Sequence, residues 1–235
     1  MHSAIDEAVP DASGVLLVLN DIVETAEDEF NRWYQQQHVP ERLRVPGFRT
    51  ARRYRAVDGG PAYMAVYECE SIAVLASEPY LERLRNPTDW TRKVMPGFRN
   101  MLRSACRQTW SLGAGVGGGA IVVQCQPRGG RQDAARLFVK ERLAQGLMQS
   151  ASMVRMSLWE ADASATGGPS PEMALRGEAD KNADWVLFLE SYDLARTESA
   201  LQPRLLASEA EDAGLYIDSL GGYQLICART APDAA

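Results

Sequence analysis

Only two histidines occur in this chain, His2 and His38, and the second stands inside "NRWYQQQHVPERLRVPGF", residues 31–48. An imidazole titrates near neutrality, so it can take or give a proton at physiological pH. Tyr34 lies four residues before it and Glu41 three after it, spacings that on a helix bring a phenol and a carboxylate to the same face. Pro40 disfavours helical backbone at Val39, which puts His38 in the last turn of its helix, where the negative end of the dipole favours the imidazolium form. Two readings follow. His38 is an acid/base with Tyr34 or Glu41 assisting, or it is a helix-end side chain that meets solvent or a backbone carbonyl.

Nearby residues have types suited to holding an aromatic molecule. Phe30 is expected in the core, whereas Trp33 and Tyr34 either pack there too or line an apolar pocket. In "FRTARRYRAV" (48–57), strand alternation sets Arg52 and Tyr54 on one face and Arg53 and Arg55 on the other, so one pair points inward. An inward arginine holds a carboxylate or phenolate; a row exposed on an edge strand is the alternative. Tyr63 and Tyr67 share a face of the next strand, where their hydroxyls either finish a pocket or reach the surface. Other chemistries lack their residues. There is no HxH, HExxH or Cys/His cluster for a metal, and no GxSxG elbow. Cys69, Cys106, Cys125 and Cys227 are scattered among apolar neighbours without CxxC spacing and read as buried free thiols.

The elements that must position these groups come in two sets. "GVLLVLND" (14–21) is a buried strand, and "ETAEDEFNRWYQQQH" (24–38) a helix with acids massed at its N-terminus. Residues 48–57 and 62–69 flank the turn "DGGP" as a hairpin, 71–85 is a second helix, and 103–112 a last strand. The order βαββαβ then recurs: strand 119–126, helix 131–146, strands 152–161 and 184–191, helix 193–210 and strand 221–229. Tyr63–Glu68 overlays Trp185–Glu190, each an apolar run closed by a glutamate. "GAGVGGGA" (113–120) has neither GK[ST] nor a following helix, so it reads as a linker and not a phosphate loop. Each unit is ferredoxin-like. Strands such as 15–19 are apolar at successive positions, so both sheet faces must be covered, and two sheets in one chain can cover each other.

With 46% hydrophobic and 24% charged residues and a formal net charge of -6, the chain can bury a sizeable core, and it lacks the basic excess of a nucleic-acid binder. Its acidic start, without an n-region or apolar run, leads us to expect a cytoplasmic protein with no membrane span.

The run "DEFNRWYQQQHVPERLRVPGF" resembles the first-helix signature of the dimeric α/β-barrel superfamily, especially its EthD-like branch, and "NPTDWTRKVMPGFRN" (86–100), which contains Trp90, resembles a segment that branch places before its last strand. The resemblance covers the first half; the second fits the fold's pattern without these residues. It implies a tandem member folding as an intramolecular pseudo-dimer, in a superfamily of cofactor-free monooxygenases, cyclases, decarboxylases, isomerases and haem enzymes. Haem-binding tandem relatives carry a histidine in the second half, which this chain lacks.

The expected architecture is therefore α+β: two ferredoxin-like βαββαβ repeats forming an intramolecular dimeric α/β-barrel. Repeats at 14–112 and 119–230 are joined by the glycine-rich 113–118, with an insertion at 161–184 suited to a lid or a plain connection, and flexible ends at 1–13 and 231–235. The active half is the first. The expected function is cofactor-independent proton transfer on a small aromatic or polyketide-like metabolite, as a lyase, isomerase or cyclase. Cofactor-free oxygenation of a phenol and a non-catalytic ligand-binding role are the alternatives. His38, Tyr34 and Glu41 are the catalytic candidates, and Trp33, Arg52, Tyr54, Tyr63, Tyr67 and Trp90 the substrate-binding ones. No cofactor, metal, nucleic acid or membrane partner is expected, and a further homodimer is compatible.

Overall fold

The computed structural model describes residues 13–149, 152–166, 170–177 and 179–232. His2 with the rest of the first twelve residues, and residues 233–235, parts of the ends expected to be flexible, lie outside the described residues.

Strand β1 spans Gly14–Ile22, β2 Phe48–Asp58, β3 Tyr63–Cys69, β4 Phe98–Gly113, β5 Gly119–Pro127, β6 Met153–Ala161, β7 Trp185–Ser191 and β8 Leu215–Thr230. They close into a barrel in the order β1-β3-β2-β8-β5-β7-β6-β4, and every neighbouring pair is antiparallel. This is a mixed α and β architecture of the dimeric α/β-barrel kind. Closure explains why β1 is apolar at successive positions. Val15, Leu17 and Leu19 fill the barrel interior with Met64, Val66, Val122, Trp159 and Phe188, while Leu16 and Val18 pack on the other face, beneath helices. A sheet closed on itself has no unpaired edge to protect.

Two strands are longer than the sequence indicates. β4 begins at Phe98 rather than 103, and β8 at Leu215 rather than 221. Polar pairs such as Arg99-Asn100 and Asp218-Ser219 hide the alternation there. The extra length joins the halves: β4 pairs with β1 early and with β6 late, and β8 with β5 early and with β2 late.

The first helix does not end at His38. It runs from Glu27–Trp33 through a π-turn, Tyr34–His38, into Val39–Leu43, with helical dihedrals at His38 and Val39. The Val39 amide bonds back to the Tyr34 carbonyl, one residue further than in an α-helix. Such widening moves carbonyls out of the path of the Pro40 ring, which would otherwise break the helix. The same widening recurs in the second half at Phe138–Leu143. No proline follows within the next turn there, so the bulge belongs to the element and not to the proline. After it, Pro46-Gly47-Phe48 turns the chain into β2. Gly47 has φ +90°, and a Cβ there would meet Val74 Cγ2 at 2.5 Å.

The insertion between β6 and β7 forms two short helices, Ala163–Thr166 and Pro171–Ala174, the second capped by Ser170 Oγ, which accepts from the Met173 amide at 3.1 Å. It leaves its own half and crosses onto the first: Lys181 bridges beside Leu102, and Ala165 joins the first half's helix-side core. Among the described residues, no helix is long and apolar enough to cross a membrane.

Candidate active site in the first half

Between the first half's sheet and its helices lies a cavity of about 310 Å³. Leu16 and Val18 of β1 and Phe98 and Met101 of β4 give it an apolar floor, and the helix Glu78–Arg85 with the preceding turn adds Leu75, Leu81 and Leu84. His38 and Tyr34 enter from the first helix, Tyr67 from β3, and Glu172 and Arg176 from the insertion.

His38 is 7% exposed, and its Nδ1 has no hydrogen-bond partner. The ring lies against the Trp33 indole, with centroids 4.2 Å apart, and edge-on to Tyr34 at 5.0 Å. Burial, reinforced by the positive charges of Arg42, Arg53 and Arg176, drives its pKa well below the ordinary value of 6.5. The sequence expectation of a dipole-stabilised imidazolium is therefore reversed. Because the helix continues to Leu43, His38 does not sit at its negative end, and desolvation decides its charge. What the site holds is a neutral imidazole, able to accept a proton.

Tyr67 brings a second unsatisfied group. Its hydroxyl is buried and unpartnered, and burial raises its pKa well above 10. Tyr34, raised to about 12 by burial, likewise stays a phenol. Leaving a buried polar atom without a partner costs about 1–3 kcal/mol. His38 and Tyr67, each with such an atom, line the same cavity.

Cations dominate the polar lining. Arg42, one turn beyond His38, pairs with Glu172 at 2.6 Å and lies over the Tyr80 ring. Arg176 grips Asp180 through 2.7 and 2.8 Å contacts, and Arg103 donates to the Tyr80 hydroxyl at 2.9 Å. Arg85, also in the lining, is paired with Glu78 outside it. Behind Tyr34, Arg53 lies 4.2 Å over its ring and donates to Asn31 Oδ1 at 2.9 Å.

Thus His38, Tyr34 and Tyr67 meet in one cavity, with Trp33 behind the imidazole. The other candidates lie elsewhere. Glu41 is outside the lining and pairs with Arg83 at 3.8 Å, since the continuing helix carries it round to another face. Tyr63 is turned to Glu27 and Asn31 at the helix N-terminus. Trp90 donates to Glu29 at 2.9 Å on the outer side. Arg52 and Tyr54 are the pair that faces the barrel interior, on the opposite side of the sheet from His38; the arginine facing the helix layer is Arg53. Arg42 was visible at i+4 from His38, whereas nothing local marked Glu172 or Arg176, which reach the cavity through the crossing of the insertion.

Among the described residues of the second half, no histidine stands at the place of His38. Gly14 and Gly119 open the corresponding strands, with Cys69 and Ser191 opposite, and continuing this alignment puts Leu143 at the place of His38. Leu143 packs there with Ile121, Phe138, Leu158 and Leu189. Among the described residues, no three His, Cys, Asp or Glu side chains are grouped to hold a metal ion.

No family model matches this sequence, and no curated protein does. Solved structures share the fold. An anthrone oxidase-like protein matches with a TM-score of 0.65 at 12% identity, covering 96% of this chain and 95% of its own. A candidate monooxygenase from Fusobacterium nucleatum matches with a TM-score of 0.58 at 8% identity, covering 94% and 95%. A chlorite dismutase from Candidatus Nitrospira defluvii matches with a TM-score of 0.57 at 11% identity, covering 92% of each.

Proposed function

We propose that the first-half cavity is the active site of a cofactor-independent enzyme in which neutral His38 removes a proton from a small phenolic or polyketide-like compound. The carrying observation is a pair of buried side chains that line one cavity and each hold an unpartnered polar atom, His38 at Nδ1 and Tyr67 at its hydroxyl. A bare imidazole nitrogen accepts the proton from an acidic O–H or C–H. The Tyr67 hydroxyl donates to the oxygen on which charge gathers, and the Arg42 and Arg176 guanidinium groups of the lining stabilise the resulting phenolate or enolate. Returning the proton at another carbon completes an isomerisation; attack of the enolate carbon on a second carbonyl of the same molecule, with the proton returned to the new alkoxide, completes a cyclisation. Glu41, Tyr63, Trp90, Arg52 and Tyr54 have no contact role in this reading.

A second outcome for the same anion is favoured by whole-length likeness to the anthrone oxidase-like protein and the candidate monooxygenase. An electron-rich carbanion can itself reduce dioxygen, so a CH₂ between aromatic rings becomes C=O with one oxygen atom from O₂, the other leaving as water. Proton abstraction by His38 starts both routes.

The test is His38→Leu, which copies the second half's Leu143 and so keeps the layer packed. Against a panel of hydroxynaphthalenes and anthrones, followed by absorbance and by an oxygen electrode, the variant is expected to lose about 10²–10⁴-fold in turnover while its melting temperature holds or rises. Oxygen consumed with substrate selects the oxidative route. Undiminished turnover, or tight binding across the panel with no turnover in the unaltered protein, would reject the reading.

A further inference from the structure

The roof of the cavity is borrowed. The insertion follows β6 and so belongs by chain order to the second half, yet Ala165, Glu172 and Arg176 all line the first half's cavity. Its strongest tie is ionic: Glu172 Oε2 meets Arg42 Nη2 at 2.6 Å, with both side chains nearly solvent-free. Arg42 is one helical turn from His38, so a carboxylate from the far half of the chain rests where the polar end of a ligand would lie. Beside it, Arg176 is buried with its Nε unpartnered.

We propose that Glu172 is an internal stand-in for an acidic group of the ligand: an aromatic acid binds by displacing Glu172 from Arg42, and the 171–176 segment is released as it enters. This rests on the cavity being a ligand site but not on proton transfer by His38. Separating a buried ion pair leaves an uncompensated charge, which is strongly unfavourable. A neutral ligand therefore cannot free Arg42, and the roof stays latched over it. A carboxylate or phenolate replaces one anion by another on the same guanidinium, so the exchange is close to neutral for Arg42, and Glu172 regains water. Removing Glu172 leaves Arg42 without the carboxylate it is paired with, a charge that an anionic ligand matches and a neutral one does not. Selectivity for acids and opening of the roof then have a single cause.

The probes are 1-hydroxy-2-naphthoate, its neutral methyl ester, and inorganic phosphate, with binding read by titration calorimetry in the unaltered chain, in Glu172→Gln and in Arg42→Gln. Glu172→Gln is expected to tighten the naphthoate by about tenfold while changing the ester less than about twofold, because only the anion competes with Glu172. Arg42→Gln is expected to abolish the preference for the acid. In the unaltered protein, naphthoate should speed amide hydrogen exchange at Ala174 and Arg176, whose amides bond within the segment, and the ester should not. That measurement needs no variant, so it stands even where a substitution impairs folding. An unchanged acid-to-ester ratio in Glu172→Gln, slower exchange at 171–176 with naphthoate, or equal release by phosphate alone would each overturn the proposal. Repeating the titration in His38→Leu separates the two ideas. Acid binding that persists there while turnover is lost retains both ideas, whereas acid binding that persists with turnover undiminished retains the exchangeable pair and rejects only the catalytic reading.

Discussion

The His38 imidazole lies against the Trp33 indole with the Arg42 charge one turn beyond, and burial together with that charge opposes its protonation. This fixes a sign for the effect of pH on stability. The folded pKa lies below the unfolded value near 6.5, so as pH falls through 6.5 the unfolded chain takes up the proton first. Stability contributed by the neutral ring is present above about pH 6.5, declines below it, and levels off once pH passes the folded pKa. Urea midpoints between pH 7.5 and 5 should therefore fall in the unaltered protein, and His38→Leu should fall less. A midpoint rising toward acid through His38 would restore the imidazolium expected from a helix C-terminus. The candidate residues were legible as types, but their directions were not. Tyr34, His38 and Tyr67 meet because helical and strand periodicity are local and readable, while the choice between Arg52 and Arg53 depends on which face of β2 looks into the barrel, a property of closure that no single strand reports.

At the scale of elements, the β2–β3 connection and the β6–β7 connection occupy matching places in the two halves and do different work. The first is the short turn 59–62; the second spans most of 161–184 and roofs the other half's cavity. Because the Ala161 amide already bonds to the Asp184 carbonyl at 2.7 Å, the strands on either side approach closely enough to be joined by a tight turn. Replacing residues 162–183 with the turn Gly59-Gly60-Pro61-Ala62 should leave the far-UV spectrum strand-rich and unfolding cooperative, while calorimetric binding of naphthol probes disappears. Retained binding would mean that the floor alone forms the site. The strand and helix order was readable from pattern because each strand's alternation and each helix's 3.6-residue spacing is set by its own faces. The helix end was misjudged because a π-turn carries the helix through Pro40, and the insertion's polar composition conceals its buried Glu172 and Arg176.

Across the whole molecule, the glutamates that close the two overlaid runs, Glu68 and Glu190, come together at one end of the barrel. Arg52 joins both, at 2.5 Å to Glu68 and 2.6 Å to Glu190, and Arg155 joins both again, at 2.9 and 2.5 Å. Each arginine thus bridges a carboxylate of its own half and one of the other, a connection added to the β2–β8 and β4–β6 ladders. The arginines hold the Glu68 carboxyl below its ordinary pKa against the opposing effect of burial. Glu190 is fully buried, so Glu190→Gln would leave two arginines sharing the single remaining carboxylate, with the Arg52 guanidinium almost out of reach of water. The expected cost is about 3–5 kcal/mol, the range for breaking one side of a buried pair. Glu68→Gln should cost less, because Glu68 is partly open to solvent, which can take over some of the lost interaction. Urea unfolding of both variants measures the difference. If the quartet ties the halves, Glu190→Gln lowers the midpoint of one shared transition; two separated transitions, with one half unfolding first, would mean that the ladders alone leave the halves energetically independent.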